Sequence, residues 1–186
     1  MAHIRLPDPP LTDGALMLRA WRDDDVPALV AAANDPEIPR WTSVPSPYHE
    51  SDATTWFATH APALEAQTGL NLAIVDATAN ELLGSIGLVK VAVDDARAEV
   101  GYWIAAHARR RGVATDALRL LSRFVLHDLE FERLELYADV DNVASRGVAA
   151  RAGFTLEGVA RSYVAVRGER RDFVVYSLLP NELDSA

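Results

Sequence analysis

Residues 100–115 combine the residue types that bind phosphate groups. Arginines occupy positions 109–111 and are followed by Gly112 and Ala114. The apolar run before the arginines predicts a strand, and the spacing after Gly112 predicts a helix. A helix N-terminus leaves about four backbone N–H groups without partners, and glycine lets a ligand approach the backbone closely. The segment therefore predicts a turn that binds a pyrophosphate. Its predicted contacts are Arg109, Arg110, Arg111, Gly112, Val113, Ala114 and Thr115.

Other phosphate-binding and nucleophilic motifs are absent from the sequence. The chain has no Gly-x4-Gly-Lys-Ser/Thr, no Gly-x-Gly-x-x-Gly after a predicted strand and no Gly-x-Ser-x-Gly. It contains no cysteine, which excludes disulfides, thiolate metal sites and cysteine nucleophiles. Its five histidines show no close ligand spacing, so we expect no metal site. The phosphate turn is therefore of another kind.

The charge distribution disfavours a nucleic-acid-binding protein. The formal net charge is 18 − 27 = −9, whereas proteins that neutralise backbone phosphates are basic. Residues 1–95 carry all of the acidic excess, and every basic residue after position 95 is an arginine. We therefore expect an anionic ligand near the arginines and no nucleic-acid partner. The acidic first half suits a cationic amine, although a general role in solubility explains it equally well.

Length and hydropathy place the chain among globular proteins. Its 186 residues predict one domain over residues 1–186. The apolar fraction of 49% is sufficient for a hydrophobic core. No apolar run approaches the roughly 20 residues that span a bilayer, and the N-terminus does not resemble a signal peptide. We expect a cytoplasmic protein without a membrane partner.

The hydrophobic pattern predicts alternating strands and helices. Four prolines fall within residues 36–47, which predicts a loop. The order of elements predicts an α+β or α/β layered fold with a mixed, mostly antiparallel sheet and helices on both faces. The predicted helices cover approximately residues 23–34, 52–66, 112–125 and 142–152, and the predicted strands cover residues 15–21, 70–75, 82–91, 97–105, 133–139, 163–166 and 173–178.

The pattern Arg109-x-x-Gly112-x-Ala114, placed between a strand and a helix, resembles the acetyl-CoA-binding motif of the GNAT superfamily of N-acetyltransferases. The resemblance extends to the RimJ/RimL branch. It covers Tyr-Ala-Asp-Val-Asp-Asn-Val-Ala-Ser at 137–145 and Arg-Asp-Phe-Val-Val-Tyr-Ser-Leu at 171–178. It is strong over residues 82–179 and rests on element order before them.

The resemblance implies a seven-stranded GNAT sheet with a V-shaped splay. The fourth and fifth strands, residues 97–105 and 133–139, would part to form a cleft for the pantetheine arm of acetyl-CoA. Around this cleft Trp103, Ile104 and Ala105 would bind the arm and polarise the thioester carbonyl while an uncharged amine attacks. The implied reaction moves an acetyl group directly from acetyl-CoA, as co-substrate, to a primary amine.

Two residues of the helix that follows the fifth strand are implied at the thioester. Asn142 would contact pantetheine, and Ser145 would lie near the sulfur or the phosphates, with a proton-donor role proposed for it in this branch. The simpler interpretation makes Asn142 a helix N-cap and Ser145 an ordinary surface hydroxyl. Both interpretations can hold together.

Glu99 is the candidate general base. Strand alternation puts its side chain on the same face as Gly101 and Trp103. The simpler interpretation of Glu99 is a solvated carboxylate paired with Arg97. Some RimJ/RimL-like enzymes carry a carboxylate on a later strand, and residues 161–164 of this chain lack it. There are two alternatives to a carboxylate base: a base that acts through a water molecule, and an amine that is already neutral at moderately alkaline pH.

The acceptor pocket is predicted from aromatic residues. Trp41 and Tyr48 are candidate substrate contacts because amphipathic rings near a proline-rich loop suit ligand binding. Trp56 is predicted to pack in the core. The acceptor is a peptide or small-molecule amine, and the sequence does not rank a protein N-terminus, an amino acid, a polyamine or an aminoglycoside.

Three alternatives remain open at the level of the sequence. Arg40 near the acceptor side would favour succinyl-CoA over acetyl-CoA as the acyl donor. A non-catalytic acyl-CoA-binding sensor would keep the phosphate turn and dispense with acid and base. A homodimer would use the predicted hairpin at residues 163–178.

Overall fold

The computed structural model describes residues 2–166 and 168–185. Its strands are β1 (Leu11–Thr12), β2 (Leu16–Ala20), β3 (Leu70–Asp76), β4 (Leu82–Ala92), β5 (Arg97–Ile104), β6 (Arg133–Asp139), β7 (Thr155–Val166) and β8 (Glu169–Leu178). Its α-helices are α1 (Val26–Ala33), α2 (Glu37–Trp41), α3 (Glu50–Phe57), α4 (His60–Glu65), α5 (Val113–Arg123) and α6 (Val143–Arg151). Single 3₁₀ turns cover Asp23–Asp25 and Ala106–Ala108, and a wider π-helical turn, Phe124–Asp128, extends α5.

The strands form one mixed sheet in the order β1-β2-β3-β4-β5-β6-β8-β7. All neighbouring pairs are antiparallel except β5 and β6, which run parallel. A parallel pair needs a long crossover, and α5 supplies it. The mixed α+β fold predicted from the sequence is confirmed.

Hydrophobic cores cover both faces of the sheet. Alternate residues of β3 show this directly, because Leu72 and Ile74 join the core under α5, while Ala73 and Val75 join the core under α1 and α3. A strand buried on both faces has a nearly continuous apolar sequence, as β3 does. Helices on both faces thus hold the middle of the sheet rigid.

A buried ion pair fixes the first helices to the sheet. Arg19 on β2 is 2% exposed and donates to both carboxylate oxygens of Asp25 at 2.8 Å. Burial on its own would raise the pKa of Asp25, but the bonds from Arg19 and from the Arg22 amide outweigh it and lower the pKa. The pair orients the segment that leads into α1 and α2.

Several element boundaries differ from those predicted. The described chain has eight strands where seven were predicted, because the two-residue strand β1 pairs with β2. Residues 37–41 form the short helix α2 inside the predicted loop; Pro39 lies in its first turn, where backbone N–H groups have no helical partner. The predicted helix over 52–66 divides into α3 and α4. The hairpin around Gly168 is present, with longer strands than predicted.

Two further findings concern the described residues. Within residues 2–166 and 168–185, no helix is long and apolar enough to cross a membrane. The same residues contain no group of three or more His, Asp or Glu side chains arranged to hold a metal ion.

Candidate active site

The central strands β5 and β6 separate soon after they begin. They pair only at Arg97 with Arg133, Ala98 with Leu134 and Glu99 with Glu135, although they continue to Ile104 and Asp139. The gap beyond Glu99 and Glu135 is called the wedge below. The V-shaped splay expected between these strands is therefore present, with Glu99 at its vertex.

A cavity of about 930 Å³ fills the wedge. Its size lies in the range of sites that enclose cofactors and drug-sized ligands. One side, called the cofactor half, is formed by the start of α5 and by α6, and it includes Arg110, Gly112, Ala114, Asn142, Ser145 and Arg151. The other side, called the acceptor half, is formed by α2, α3, β4 and β5, and it includes Glu37, Trp41, Trp56, Ser85, Glu99 and Trp103.

The phosphate turn has free backbone donors. Gly112 is the N-cap of α5 with φ of +85°, a conformation that favours glycine. The amide of Thr115 donates to the Gly112 carbonyl at 2.9 Å. Within residues 2–166 and 168–185 the amides of Val113 and Ala114 have no backbone acceptor. The start of α5 therefore presents unpaired N–H groups and the positive end of a helix dipole to the cavity.

The three arginines before Gly112 have different surroundings. Arg109 donates from Nε to the Ile104 carbonyl at 3.0 Å and from a terminal nitrogen to Asp35 at 2.9 Å. Arg109 thus ties the turn to the segment between α1 and α2, while it also borders the cavity. Arg110 borders the cavity, and Arg111 does not. The charge of Arg111 acts instead near the β3–β4 turn, where it adds to backbone hydrogen bonds that lower the pKa of Asp76.

The backbone of β5 faces the wedge at Tyr102 and Ile104. The Ala105 amide donates to the Leu83 carbonyl at 2.9 Å, so the odd-numbered residues make the bonds to β4. The backbone groups of Tyr102 and Ile104 consequently point toward the missing part of β6. Ala105 itself is buried, 2% exposed, and does not border the cavity. Trp103 and Ile104 do.

Ser145 and Asn142 lie together at the start of α6. The Asn142 side chain accepts a hydrogen bond from the Ser145 amide at 3.0 Å, so Asn142 is the predicted N-cap. The Ser145 hydroxyl lies 2.9 Å from the hydroxyl of Tyr102, which reaches across from β5. Tyr102 is not among the residues predicted from the sequence, because nothing in the spacing relates residue 102 to residue 145. Both residues border the cavity.

Glu99 is paired with Lys90 and not with Arg97, so the pairing expected from the sequence is wrong. Its Oε2 accepts from Lys90 Nζ at 2.7 Å, since Lys90 lies opposite Glu99 in the β4–β5 ladder. Arg97 pairs instead with the buried Glu135 at 3.0 Å. The side chain of Glu99 is 15% exposed and borders the cavity. From the sequence, only the register of the β4–β5 hairpin could have indicated that Lys90 lies opposite Glu99.

Aromatic rings surround Lys90 at the vertex. Tyr137 and Tyr163 stack with ring centroids 4.8 Å apart, and Lys90 Nζ lies 5.8 Å and 5.5 Å from their respective centroids. Burial, aided by the negative charge of Glu135, raises the pKa of Tyr137 to about 12. The Tyr137 phenol therefore stays neutral, and the Glu99 carboxylate balances the Lys90 ammonium.

The predicted acceptor residues are not brought together. Trp41 borders the acceptor half, and its indole N–H donates to Glu37 at 3.1 Å. Tyr48 is buried, 5% exposed, and packs in the core under α1 and α3, away from the cavity lining. Trp56, predicted as core, borders the cavity and also packs edge-on against Trp21 with centroids 5.3 Å apart.

Arg40 does not border the cavity itself, although it contacts two residues that do. Its guanidinium pairs with Glu37 at 3.1 Å and lies over the Trp41 ring, 4.6 Å from the centroid. The side chain is 61% exposed. A cation that Glu37 already balances and that is largely solvated is poorly suited to select a carboxylated acyl chain.

Comparison with known families decides the classification. The family model described as an acetyltransferase (GNAT) domain matches residues 15–155. The chain belongs to the GNAT acetyltransferase family. It is RimJ/RimL-like, and acetyltransferases of this family use acetyl-CoA as co-substrate.

Relatives and solved structures agree with this membership. The Bacillus subtilis (strain 168) protein YdaF, whose name is that of a ribosomal N-acetyltransferase, is 36% identical over 135 residues, covering 73% of this chain and 70% of YdaF. The RimJ structure of Mycobacterium smegmatis with a CoA disulfide has a TM-score of 0.84 at 23% identity, covering 94% of this chain and 87% of that one. A RimL ribosomal L7/L12 α-N-protein acetyltransferase in complex with coenzyme A has a TM-score of 0.82 at 22% identity, covering 91% and 96%. Both solved structures share the fold.

Proposed function

We propose that this GNAT acetyltransferase transfers the acetyl group to the N-terminal α-amine of a protein or peptide. The wedge carries the proposal, because it joins a phosphate-binding helix start to an acceptor half with a carboxylate at the vertex. YdaF is named for action on ribosomal proteins, and the RimL structure is titled an α-N-protein acetyltransferase. Those names support a protein or peptide acceptor.

Acetyl-CoA suits the cofactor half because its charged and hydrogen-bonding groups match the groups that line it. The pyrophosphate would accept from the free amides of Val113 and Ala114, with Arg110 beside them. The pantetheine arm would lie along β5 and bond to the wedge-facing backbone of Tyr102 and Ile104. This path brings the thioester toward Ser145, beside the acceptor half.

The vertex suits an amine that needs little help to lose its proton. An α-amine titrates at about 7.7 to 8.0 and a lysine amine at about 10.4, so near neutral pH only the α-amine is substantially uncharged. Glu99 already balances the Lys90 ammonium, and its Oε2 is occupied by the hydrogen bond from Lys90 at 2.7 Å. An α-amine is therefore a better match for this site than a lysine side chain or a polyamine.

The reaction proceeds by direct attack. The amine nitrogen forms a bond to the thioester carbon, and the carbonyl electrons move to oxygen. Backbone N–H groups of β5 in the wedge stabilise that oxygen. The nitrogen loses its proton to Glu99 or to water held there. The carbonyl re-forms, the C–S bond breaks, and its electron pair leaves with the CoA sulfur near Ser145.

The deciding experiment is an acceptor comparison that measures CoA thiol release. One peptide has a free N-terminus and no lysine, and its partner differs from it only by an acetylated N-terminus and one internal lysine. We expect thiol release only with the free N-terminus, and mass spectrometry should locate the acetyl group on the first residue. A polyamine, an aminoglycoside and free amino acids complete the panel.

Glu99→Gln provides the matched variant. The variant should release CoA thiol more slowly than the wild type, and this difference should become smaller as the pH rises above about 8, where the α-amine is already neutral. Transfer to the polyamine or aminoglycoside alone would refute the peptide assignment. Tight acetyl-CoA binding without thiol release for any amine between about pH 6 and pH 9 would indicate the sensor. Faster turnover of succinyl-CoA would identify the other acyl donor.

A further inference from the structure

The contact between Tyr102 and Ser145 crosses the wedge. Their hydroxyl oxygens are 2.9 Å apart. Tyr102 lies on β5 and Ser145 on α6, beyond the point where β5 and β6 stop pairing. Tyr102 lies on the strand face opposite Glu99, toward the core under α5. The pair is thus separate from the vertex where the acceptor amine loses its proton.

The backbone around Ser145 limits how its hydroxyl can act. The Asn142 side chain holds the Ser145 amide at 3.0 Å, which fixes the first turn of α6. A phenol is a much stronger acid than an aliphatic alcohol, so in a bond between the two the tyrosine O–H is the better donor. Tyr102 then donates to the Ser145 oxygen, and the Ser145 proton is left to point into the cavity.

We propose, on the basis of the function proposed above, that Tyr102 is a positioning residue that orients the Ser145 hydroxyl as a hydrogen-bond donor to the departing CoA thiolate. The sulfur takes the electron pair of the broken C–S bond and accepts the Ser145 hydrogen bond. The Ser145 proton stays on oxygen, and the thiolate takes a proton from water after CoA dissociates.

Acidity explains why a hydrogen bond suffices. An alkyl thiol such as cysteine titrates at about 8.5, whereas an aliphatic hydroxyl, like water, is many pKa units less acidic. Full transfer from serine to thiolate is therefore uphill. Burial raises the pKa of Tyr102 to about 12, so the phenol remains protonated and keeps donating to Ser145. Neither residue has to ionise.

A third residue adds positive charge to this part of the cavity. A Cβ on Gly147 would lie 3.1 Å from a terminal nitrogen of Arg151, so glycine leaves room for that guanidinium against α6. The charge of Arg151 acts on the Tyr102 phenol and opposes the effect of burial. The charged side chains bordering the cavity are Glu37, Glu99, Arg109, Arg110, Asp139 and Arg151. All of them remain in a Tyr102→Phe variant, so a comparison with that variant isolates the hydroxyl.

The test measures the thiol pKa of bound CoA from the ultraviolet absorbance of its thiolate during a pH titration. In the wild-type complex this pKa should lie below that of free CoA. Tyr102→Phe should raise it by about one unit and lower the rate of thiol release about tenfold, the usual size of one lost hydrogen bond. The affinity for acetyl-CoA should change little.

Matched variants make the result specific. Ser145→Ala should raise the bound-thiol pKa at least as much, and the double variant should add nothing further. Tyr176→Phe removes the hydroxyl of a buried core tyrosine that does not border the cavity, and it should leave the thiol pKa unchanged. Thermal unfolding checks that each variant is folded.

Each outcome decides the proposal. An unchanged thiol pKa in Tyr102→Phe overturns it, even if that variant loses activity through altered structure. A raised pKa in Tyr102→Phe without one in Ser145→Ala makes Tyr102 the direct donor and also overturns it. If either of these two results is obtained and the wild-type protein still acetylates peptides, the proposed function stands and only the role of Tyr102 is refuted. Absence of CoA binding would overturn both.

Discussion

Substitution of Gly112 by alanine tests the phosphate turn most directly. Gly112 caps α5 with φ of +85°, and an added Cβ would lie 3.2 Å from a carboxylate oxygen of Asp116. Gly168, in the β7–β8 hairpin, has φ of +84° and open space around the same position. Alanine at either site is therefore under equal backbone strain, but only one site faces the cavity.

The two effects have separable magnitudes. A left-handed alanine costs about 1–2 kcal/mol, and each kcal/mol lowers the melting temperature of a protein this size by roughly 2–4 °C. Both variants should show this loss. A hydrogen bond to a charged phosphate is worth about 1.5–3 kcal/mol, so displacing one from the turn weakens acetyl-CoA binding roughly 10- to 150-fold. Only Gly112→Ala should show that second loss.

Isothermal titration with acetyl-CoA and thermal unfolding measure the two quantities on the same samples. Gly112→Asp extends the series, because a carboxylate about 4 Å from a phosphate is opposed by about 4 kcal/mol at an effective dielectric constant of 20. Wild-type affinity in Gly112→Ala, combined with the expected loss of stability, would refute the phosphate turn. Weakened binding in Gly168→Ala would show that affinity merely follows stability.

Three further predictions follow from single contacts. Asp25→Asn leaves Arg19 buried without its carboxylate and should lower the free energy of unfolding by about 3–5 kcal/mol in urea titrations; a loss below about 1 kcal/mol would contradict the buried pair. Hydrogen bonds from Arg133 and Ser177 lower the pKa of Glu157 from its ordinary 4.5 to about 2. Because the folded pKa is the lower one, the stabilisation by Glu157 is present above about pH 4.5 and is lost as the pH falls toward 2, so wild type and Glu157→Gln should differ in melting temperature at pH 7 and converge near pH 2. Trp41→Ala should raise the KM for the acceptor severalfold and leave the affinity for acetyl-CoA unchanged. An unchanged KM would show that Trp41 does not contact the acceptor.

Local patterns made the cofactor half predictable. The turn before Gly112, the helix after it and the cap at Asn142 each depend on residues within a few positions of one another. The splay was not visible in such patterns and came from the resemblance to a family. The short helix α2 was missed because prolines weaken a helix, yet one in the first turn interrupts no hydrogen bond.

Several side-chain positions in and around the cavity depended on contacts between distant parts of the chain. Glu99 meets Lys90 through strand register, and Tyr102 meets Ser145 across a gap where two strands part. Tyr48 turned inward because the Asn34 side chain holds its backbone at 3.0 Å and 2.8 Å. None of these pairings leaves a mark in local spacing.

Local sequence was enough to predict the glycine turn before α5 and the type and order of the longer elements along the chain. These follow from backbone sterics and from hydrophobic periodicity, which act between near neighbours. Only the tertiary structure decided which carboxylate faces which cation, which aromatic ring reaches the cavity and which hydroxyl holds Ser145. Those pairings depend on the register of β4 against β5 and on how far β5 and β6 stay together, and both join residues that are distant in the chain.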